Sequence, residues 1–202
     1  RITLGADGSA VIEHAMRLRG AGAAVWRSNL QAAERQRERL TNVWGRTYPG
    51  VEVGPLSAPT LGDVLQPIEL SVRLRVPELA QRDGDALRLP ALGYRAALVR
   101  SMAPQTKRER PLVLTSPALE EHSLEVIAPP GHVFAAAPRS VAIDGPSLRF
   151  ELTVTSEGGR AQVRSTLEYK VARIAAADYR AFRELLSQVD AALEQTFEIR
   201  RR

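Results

Sequence analysis

Cysteine is absent from this chain of 202 residues, and its absence excludes several kinds of chemistry. A chain without cysteine has no disulfide framework, no thiolate nucleophile and no zinc site built on thiolates. Aromatic residues are also few, at 5%, and no apolar run reaches the ~18 residues that a membrane-spanning helix needs. We therefore expect no membrane span in this segment and no cysteine-based catalysis by it.

Lysine is rare too, because only Lys107 and Lys170 occur among the 28 basic residues. The formal net charge is +5, and acidic residues are interspersed with the arginines along nearly the whole chain. A surface that binds nucleic acid needs clustered positive charge and aromatic rings on which bases stack. The sequence therefore predicts no nucleic-acid partner. A hydrophobic content of 44% is enough to form a core.

Alternating apolar and polar residues predict antiparallel strands in the first half of the chain. Asp7 and Gly8 form the turn of a hairpin within residues 1–19, and residues 68–76 alternate without interruption. Between them, apolar residues at spacings of three, four or seven predict one helix of about 22 residues. Its two tryptophans fit a packed core better than a platform for a sugar or peptide. The apolar stripe comprises Trp26, Leu30, Ala33, Leu40 and Trp44.

The second half predicts a longer hairpin followed by a helix. Residues 148–155 and 161–171 alternate on either side of a glycine-containing turn at 156–159. A register shift of one residue would expose either apolar set, so the register should be firm. A helix then starts after Asp178, the predicted N-cap. Its apolar face comprises Tyr179, Phe182, Leu186, Val189 and Leu193.

These patterns predict an α+β fold of two mainly antiparallel, β-rich lobes, each with a helix packed on a sheet. The best internal boundary is the segment 103–111, which Pro104 and Pro111 bracket and which has no apolar residue between them. We therefore expect a lobe of hairpin, helix and sheet over residues 1–103. A sandwich-like lobe that includes the C-terminal helix should follow over residues 104–202.

Few residues form a pattern that is typical of catalysis. His14, His122 and His132 have no second histidine or carboxylate at a ligand-pair spacing on the same element, so the sequence predicts no metal or other cofactor. Glu120 and Glu121 are neighbours on a predicted strand and point to opposite faces, so they cannot converge for acid–base catalysis. A hydrolase built on histidine and carboxylates is therefore the least favoured hypothesis.

One charged segment is a candidate for binding a partner. Lys107, Arg108 and Arg110 lie, together with Glu109, in the segment between the two predicted lobes. A run of this kind is usually a solvated loop. Its position between two lobes nevertheless makes it a candidate contact for an acidic peptide or protein partner.

Residues 167–195 carry the most specific pattern in the chain. The predicted last strand enters the helix through an Arg-Ile pair, a Tyr-x-x-Phe-Arg run follows, and "VDAAL" comes near the end. This pattern resembles the C-terminal β-rich region of bacterial transglutaminase-like proteins, which have a β-rich domain of unknown function and a papain-like transglutaminase core before it. The segment "RVPELAQRDGDALRLP" and the "DGSA" hairpin are also similar to that family. The residues that match are Arg173, Ile174, Tyr179, Phe182, Arg183, Val189, Asp190, Ala192 and Leu193.

The resemblance implies a non-catalytic accessory or interaction module. The family's Cys-His-Asp arrangement cannot be assigned in a chain without cysteine, so no catalytic residue is carried over. The implied partner is the transglutaminase-like catalytic domain of the same polypeptide, and the implied location is periplasmic or extracytoplasmic. We also expect Arg1 to be a processing or expression boundary. The alternative is a free-standing module that binds a peptide, a glycan or a partner protein.

Overall fold

The computed structural model describes residues 1–114 and 118–202. Antiparallel sheets with helices packed on them make up the chain, so the predicted α+β class is confirmed. The chain divides into two compact units, Arg1–Gln81 and Arg82–Arg202. No helix within the described residues is long and apolar enough to cross a membrane.

The first unit contains four strands and two α-helices. In chain order they are β1 (Ile2–Leu4), β2 (Ala10–Leu18), α1 (Gly20–Leu30), α2 (Gln36–Thr47), β3 (Glu52–Ser57) and β4 (Ile68–Val76). The strands lie side by side in the order β1-β2-β4-β3, and each neighbouring pair is antiparallel. A single turn of 3₁₀-helix, Ala33–Arg35, lies between α1 and α2.

Alternation along β4 decides which face of these strands is buried. Every second residue from Ile68 to Val76 is buried, and the residues between them are exposed, as predicted. Burying one such side chain contributes about 1.5–3 kcal/mol. The exposed face carries ion pairs between strands, such as Arg73 with Glu13, whose closest nitrogen and oxygen are 3.1 Å apart. The helices therefore contact one face of the strands, and the other face is polar.

The prediction of one helix of about 22 residues is wrong, because the chain leaves the helical conformation after α1. Ala32 has an extended backbone, with φ −85° and ψ 101°. Side chains after this break bond the last carbonyls of α1. The Gln36 amide donates to the carbonyl of Leu30 at 2.7 Å, and Arg39 donates to that of Asn29. Apolar spacing did not reveal the break, because the bonds that stabilise it come from polar side chains.

The second unit contains most of the strands. The elements are β5 (Gln81–Asp83), which begins at the last residue of the first unit, β6 (Ala86–Pro90), α3 (Leu98–Met102), β7 (Leu112–Val113), β8 (Ala118–Ile127), β9 (His132–Ala136), β10 (Val141–Asp144), β11 (Leu148–Glu157), β12 (Arg160–Tyr169), β13 (Arg173–Ile174), α4 (Tyr179–Glu194) and β14 (Thr196–Arg201). Within it the strands lie in the orders β10-β11-β12-β8 and β5-β6-β14-β9, and β7 pairs with β13.

The long hairpin of β11 and β12 has an uninterrupted register, and its turn is shorter than the predicted 156–159, because Ser156 and Glu157 still belong to β11. Leu148 lies opposite Tyr169, and the pairing continues without interruption to Glu157 opposite Arg160. α4 packs against β10 and β11. The predicted apolar face of α4 is buried, and three of its side chains are fully buried, with 0% exposure: Phe182, Leu186 and Val189.

Strand β14 was not predicted, and it explains where the second unit begins. β14 pairs with β6 on one side and with β9 on the other, so residues 86–90 lie beside the C-terminal end of the chain. Phe197 and Ile199 of β14 are fully buried, and the Phe197 ring contacts Phe134 edge-on, with centroids 5.1 Å apart. The compact units therefore divide before β6, whereas the domain boundary at 103/104 stays a prediction from the sequence.

Candidate functional site

Asp190 of α4 caps the short helix α3, although 92 residues separate it from Leu98. One carboxylate oxygen accepts the backbone N–H of Leu98 at 2.8 Å, and the other accepts that of Val99 at 3.0 Å. The first N–H groups of a helix have no partner within it, and a carboxylate satisfies them with added charge–dipole attraction. Ala97, at the N-cap position of α3, makes no side-chain cap bond. The N-terminal cap of α3 is therefore supplied by a residue of another helix, not by a neighbour in the sequence.

Asp178 precedes α4, as predicted, but it does not cap that helix through its side chain. Its backbone is helical, with φ −90° and ψ −5°, and its carboxylate makes no capping hydrogen bond. The backbone carbonyl of Asp178 accepts the N–H of Phe182 at 3.0 Å instead. The predicted position is therefore right, and the predicted capping bond is wrong, because an N-cap side chain normally requires an extended backbone.

The segment 103–111, called the basic loop below, is anchored to the first turns of α4. The Tyr179 hydroxyl donates to the carbonyl of Gln105 at 2.9 Å. One turn later, Nε of Arg183 donates to the carbonyl of Ala103 at 3.3 Å. Residues four apart on a helix lie on the same face, so both anchors point to the same side of α4. The basic loop is therefore held against the first turns of α4.

The three residues predicted to contact a partner all lie on the basic loop, in different environments. Arg108 is half-buried, and its guanidinium carbon is 5.7 Å from the centroid of the Tyr179 ring, a cation–π distance. Its Nη1 donates to the side chain of Gln105 at 3.2 Å. Lys107 and Arg110 are exposed, and neither forms an ion pair with any residue that the structure describes. The basic loop therefore has two exposed cations, Lys107 and Arg110, next to Arg108, whose position is fixed by its contacts.

Two tyrosines of the second unit have raised pKa values. Burial raises the pKa of Tyr169, and the negative charges of Glu120 and Asp190 raise it further. Burial and Glu120 also raise the pKa of Tyr94. The Tyr169 hydroxyl therefore stays protonated at neutral pH and donates to the sulfur of Met102 at 2.9 Å. The Tyr169 phenol therefore helps to hold α3.

The histidines lie in separate environments. The ring of His14 packs edge-on against Trp44, with centroids 4.5 Å apart, and Trp44 also stacks on Tyr48 at 6.3 Å. His122 is exposed on β8, whereas Nδ1 of His132 is 3.1 Å from a backbone carbonyl two residues earlier. Within residues 1–114 and 118–202, no group of three or more histidine, aspartate and glutamate side chains could hold a metal ion.

The first unit presents a separate surface feature, which the sequence did not reveal. Val64 and Leu65, called the apolar tip, are 76% and 90% exposed on the loop before β4. Arg27 of α1 braces this loop, because its Nη2 donates to the carbonyls of Asp63 at 2.5 Å and Gln66 at 2.6 Å. The Asp63 carboxylate accepts the N–H of Leu65 at 2.9 Å. Two large apolar side chains are therefore exposed on an ordered loop.

Removing the guanidinium of Arg27 should release this loop. We expect Arg27→Ala to lower the free energy of unfolding by about 1–3 kcal/mol, because hydrogen bonds from a charged donor are lost. Amide hydrogen exchange across residues 58–67 should become faster. The matched control is Arg73→Ala, which removes an arginine whose side chain is 70% exposed. It should cost less than about 1 kcal/mol. Unchanged exchange at 58–67 in Arg27→Ala would contradict the bracing role.

Comparison with protein families identifies the larger part of the second unit. Residues 89–199 match the family described as "Domain of Unknown Function with solved-structure structure (DUF3858)". The match covers slightly more than half of the chain and runs from β6 to β14, so it includes α3, the basic loop and α4. The chain belongs to the DUF3858 family. A search of curated proteins finds no match.

One solved structure shows a weak likeness to this DUF3858 protein. It is the crystal structure of "a putative protease" from Parabacteroides distasonis ATCC 8503, with a TM-score of 0.47 and 21% sequence identity. The alignment covers 59% of this chain and 24% of that chain, so it spans only about a quarter of the other protein. We draw no functional conclusion from a likeness at this level. Neither the family nor this structure is described as a transglutaminase, so the transglutaminase-like context is a proposal.

Proposed function

We propose that this DUF3858 protein is a non-catalytic accessory module of a bacterial transglutaminase-like protein. In this role it packs against the catalytic domain of the same polypeptide, positions it or restricts access to it. The proposed location is periplasmic or extracytoplasmic, as the resemblance implies. The catalytic cysteine would belong to the neighbouring domain, because this chain contains none.

The observation that best supports this proposal is the role of the residues that carry the resemblance. Tyr179, Arg183 and Asp190 belong to the matching pattern; Tyr179 and Arg183 bond the basic loop, and Asp190 bonds the start of α3. Phe182 and Val189 belong to the same pattern and are buried in the core. These residues therefore contribute to a scaffold through their burial and their bonds to α3 and the basic loop. A motif of this kind suits a structural module better than an enzyme.

Sequencing the gene upstream of the codon for Arg1 tests the proposed partner. We expect an open reading frame that continues upstream through a transglutaminase-like core with Cys, His and Asp, and through a signal peptide. A start codon at or near Arg1, with no such core, would overturn the accessory role. The free-standing binding module would then be the better hypothesis.

An activity assay of the chain by itself tests the non-catalytic part of the proposal. Fluorogenic peptide and amide substrates should show no turnover above buffer with the purified chain. The matched control is the longer polypeptide, whose turnover should disappear when the cysteine of its catalytic core is replaced by alanine. Robust turnover by the isolated chain, insensitive to thiol reagents, would overturn the assignment.

A free-standing binding module remains the second candidate, and the apolar tip favours it. Exposed Val64 and Leu65 cost solvation free energy unless another surface covers them, and their loop is already ordered by Arg27. If the gene begins near Arg1, we expect binding to a peptide or protein that Val64→Ser/Leu65→Ser weakens at least about tenfold. Binding of a peptide or protein by a chain whose gene encodes no upstream catalytic core would favour the binding module over the accessory module.

A further inference from the structure

Three cations of the second unit lie within four consecutive residues of the basic loop. Lys107, Arg108 and Arg110 form no ion pair with any described residue, and Arg183 forms none either. Six other basic side chains of the unit each have a carboxylate within 4.0 Å: Arg88, Arg149, Arg160, Lys170, Arg180 and Arg200. The basic loop therefore concentrates in one short stretch three cations that form no ion pair with a described residue, beside the single carboxylate of Glu109.

The basic loop is also ordered before any partner binds. Tyr179 and Arg183 bond its backbone at two points, and Arg108 is positioned over the Tyr179 ring. The guanidinium of Arg108 is further fixed by a hydrogen bond from its Nε to the carbonyl of Arg110 at 3.3 Å. Ordering a loop is one of the costs of association, and a loop that is already ordered avoids much of it. The three cations are therefore presented in a defined arrangement.

The chemistry of the loop matches carboxylates on a protein more closely than phosphates on a nucleic acid. Guanidinium groups bind carboxylates through paired hydrogen bonds. Single-stranded nucleic acids are bound in part by stacking on exposed aromatic rings, but Tyr179, the ring at this site, is 1% exposed and lies under Arg108. Glu109, in the middle of the loop, would repel a continuous polyanion and can be avoided by separated carboxylates. These features favour a short acidic stretch of polypeptide as the occupant.

We propose that the basic loop is a docking site for an acidic peptide segment, bound mainly by Lys107, Arg108 and Arg110. The identification of that segment with part of the adjoining catalytic domain rests on the proposed function. The docking site itself does not, because it follows from the charges and geometry of this chain. Docking would attach the partner close to α4, whose side chains hold the loop.

Titration of the whole chain with a fluorescent peptide rich in Asp and Glu tests this proposal. Lys107→Gln/Arg108→Gln/Arg110→Gln should bind the peptide at least about tenfold more weakly than the wild type. The matched control, Arg149→Gln/Arg160→Gln/Arg180→Gln, removes the same number of charges from paired arginines of the same unit. It should bind within about twofold of the wild type. A peptide with Asn and Gln at the acidic positions should not bind.

Further measurements keep the test decisive. If replacing Arg108 disturbs folding, Lys107→Glu/Arg110→Glu leaves the Tyr179 contact intact and should still weaken binding at least about tenfold. Equal losses in the loop variant and the control variant would overturn the proposal, because net charge alone would then explain binding. Tighter binding of a single-stranded oligonucleotide than of the peptide at physiological salt would also overturn it. Absence of an upstream catalytic core would leave all these outcomes unaffected, so the two proposals fail separately.

Discussion

Replacing Phe182 by alanine should lower the free energy of unfolding by about 3–5 kcal/mol, the largest effect that we expect from a single substitution in this protein. Phe182 lies on the inner face of α4 and is fully buried, with 0% exposure. The loss combines the transfer of an aromatic ring from the core with the cavity that remains. Because whole domains are stable by only about 5–15 kcal/mol, urea unfolding should show a much lower midpoint.

The control for this substitution lies two residues earlier on the same helix. The side chain of Arg180 is 89% exposed, and it pairs with Glu184 one turn later at 3.0 Å. Arg180→Ala should change the free energy of unfolding by less than about 0.5 kcal/mol, since exposed pairs of this kind contribute little. If both variants unfolded at the same urea concentration, α4 could not be packed in the core as described.

Removing the carboxylate of Asp190 should cost about 1–3 kcal/mol, because two backbone N–H groups lose their acceptor. In Asp190→Ala the N–H groups of Leu98 and Val99 would remain without a partner in a partly buried position. Their amide hydrogen exchange should become faster, and the midpoint of urea unfolding should fall. Asp190→Asn keeps one acceptor oxygen and should retain part of the stability.

Asp178 provides the matched control for this prediction. It also lies at an end of α4, but its carboxylate makes no capping hydrogen bond. Asp178→Ala should therefore cost less than about 0.5 kcal/mol, and exchange at Leu98 and Val99 should not change. The opposite order of effects, with Asp178 the more costly to replace, would mean that α4 is capped in the ordinary way and that α3 does not depend on Asp190.

The strands that were predicted best are those in which one face is buried and the other is exposed. β4 and the hairpin of β11 and β12 alternate along their length, and a shift of one residue would expose all their apolar side chains. The apolar face of α4 was also predicted correctly, because its spacing continues over sixteen residues. In these elements the spacing of apolar residues within the element itself decides which side chains are buried, so the sequence predicts them directly.

Two features that the sequence did not reveal depend on hydrogen bonds between neighbouring helices or between strands distant along the chain. The break between α1 and α2 depends on Gln36 and Arg39, whose side chains bond the end of the preceding helix. Strand β14 is six residues long, and it becomes a strand by pairing with β6 and β9. Neither feature has a local apolar pattern strong enough to reveal it.

In the basic loop, too, the residues were predictable from the sequence, but their contacts were not. Lys107, Arg108 and Arg110 were selected from the sequence alone as a charged run between prolines. Their anchoring by Tyr179 and Arg183 could not be predicted, because it depends on where α4 lies relative to the loop. In the sequence, Tyr179 and Arg183 stand out only as members of the pattern that resembles the transglutaminase-like family.

By itself, the sequence determined the α+β class, the main alternating strands, the apolar face of α4 and the absence of cysteine chemistry. Those properties depend on composition and on spacing within single elements. Only the tertiary structure decided that Asp190 caps α3, that Arg27 braces the apolar tip and that the basic loop is held against α4. Each of these depends on hydrogen bonds between groups tens of residues apart, and no local pattern specifies which distant carbonyl or N–H a side chain will meet.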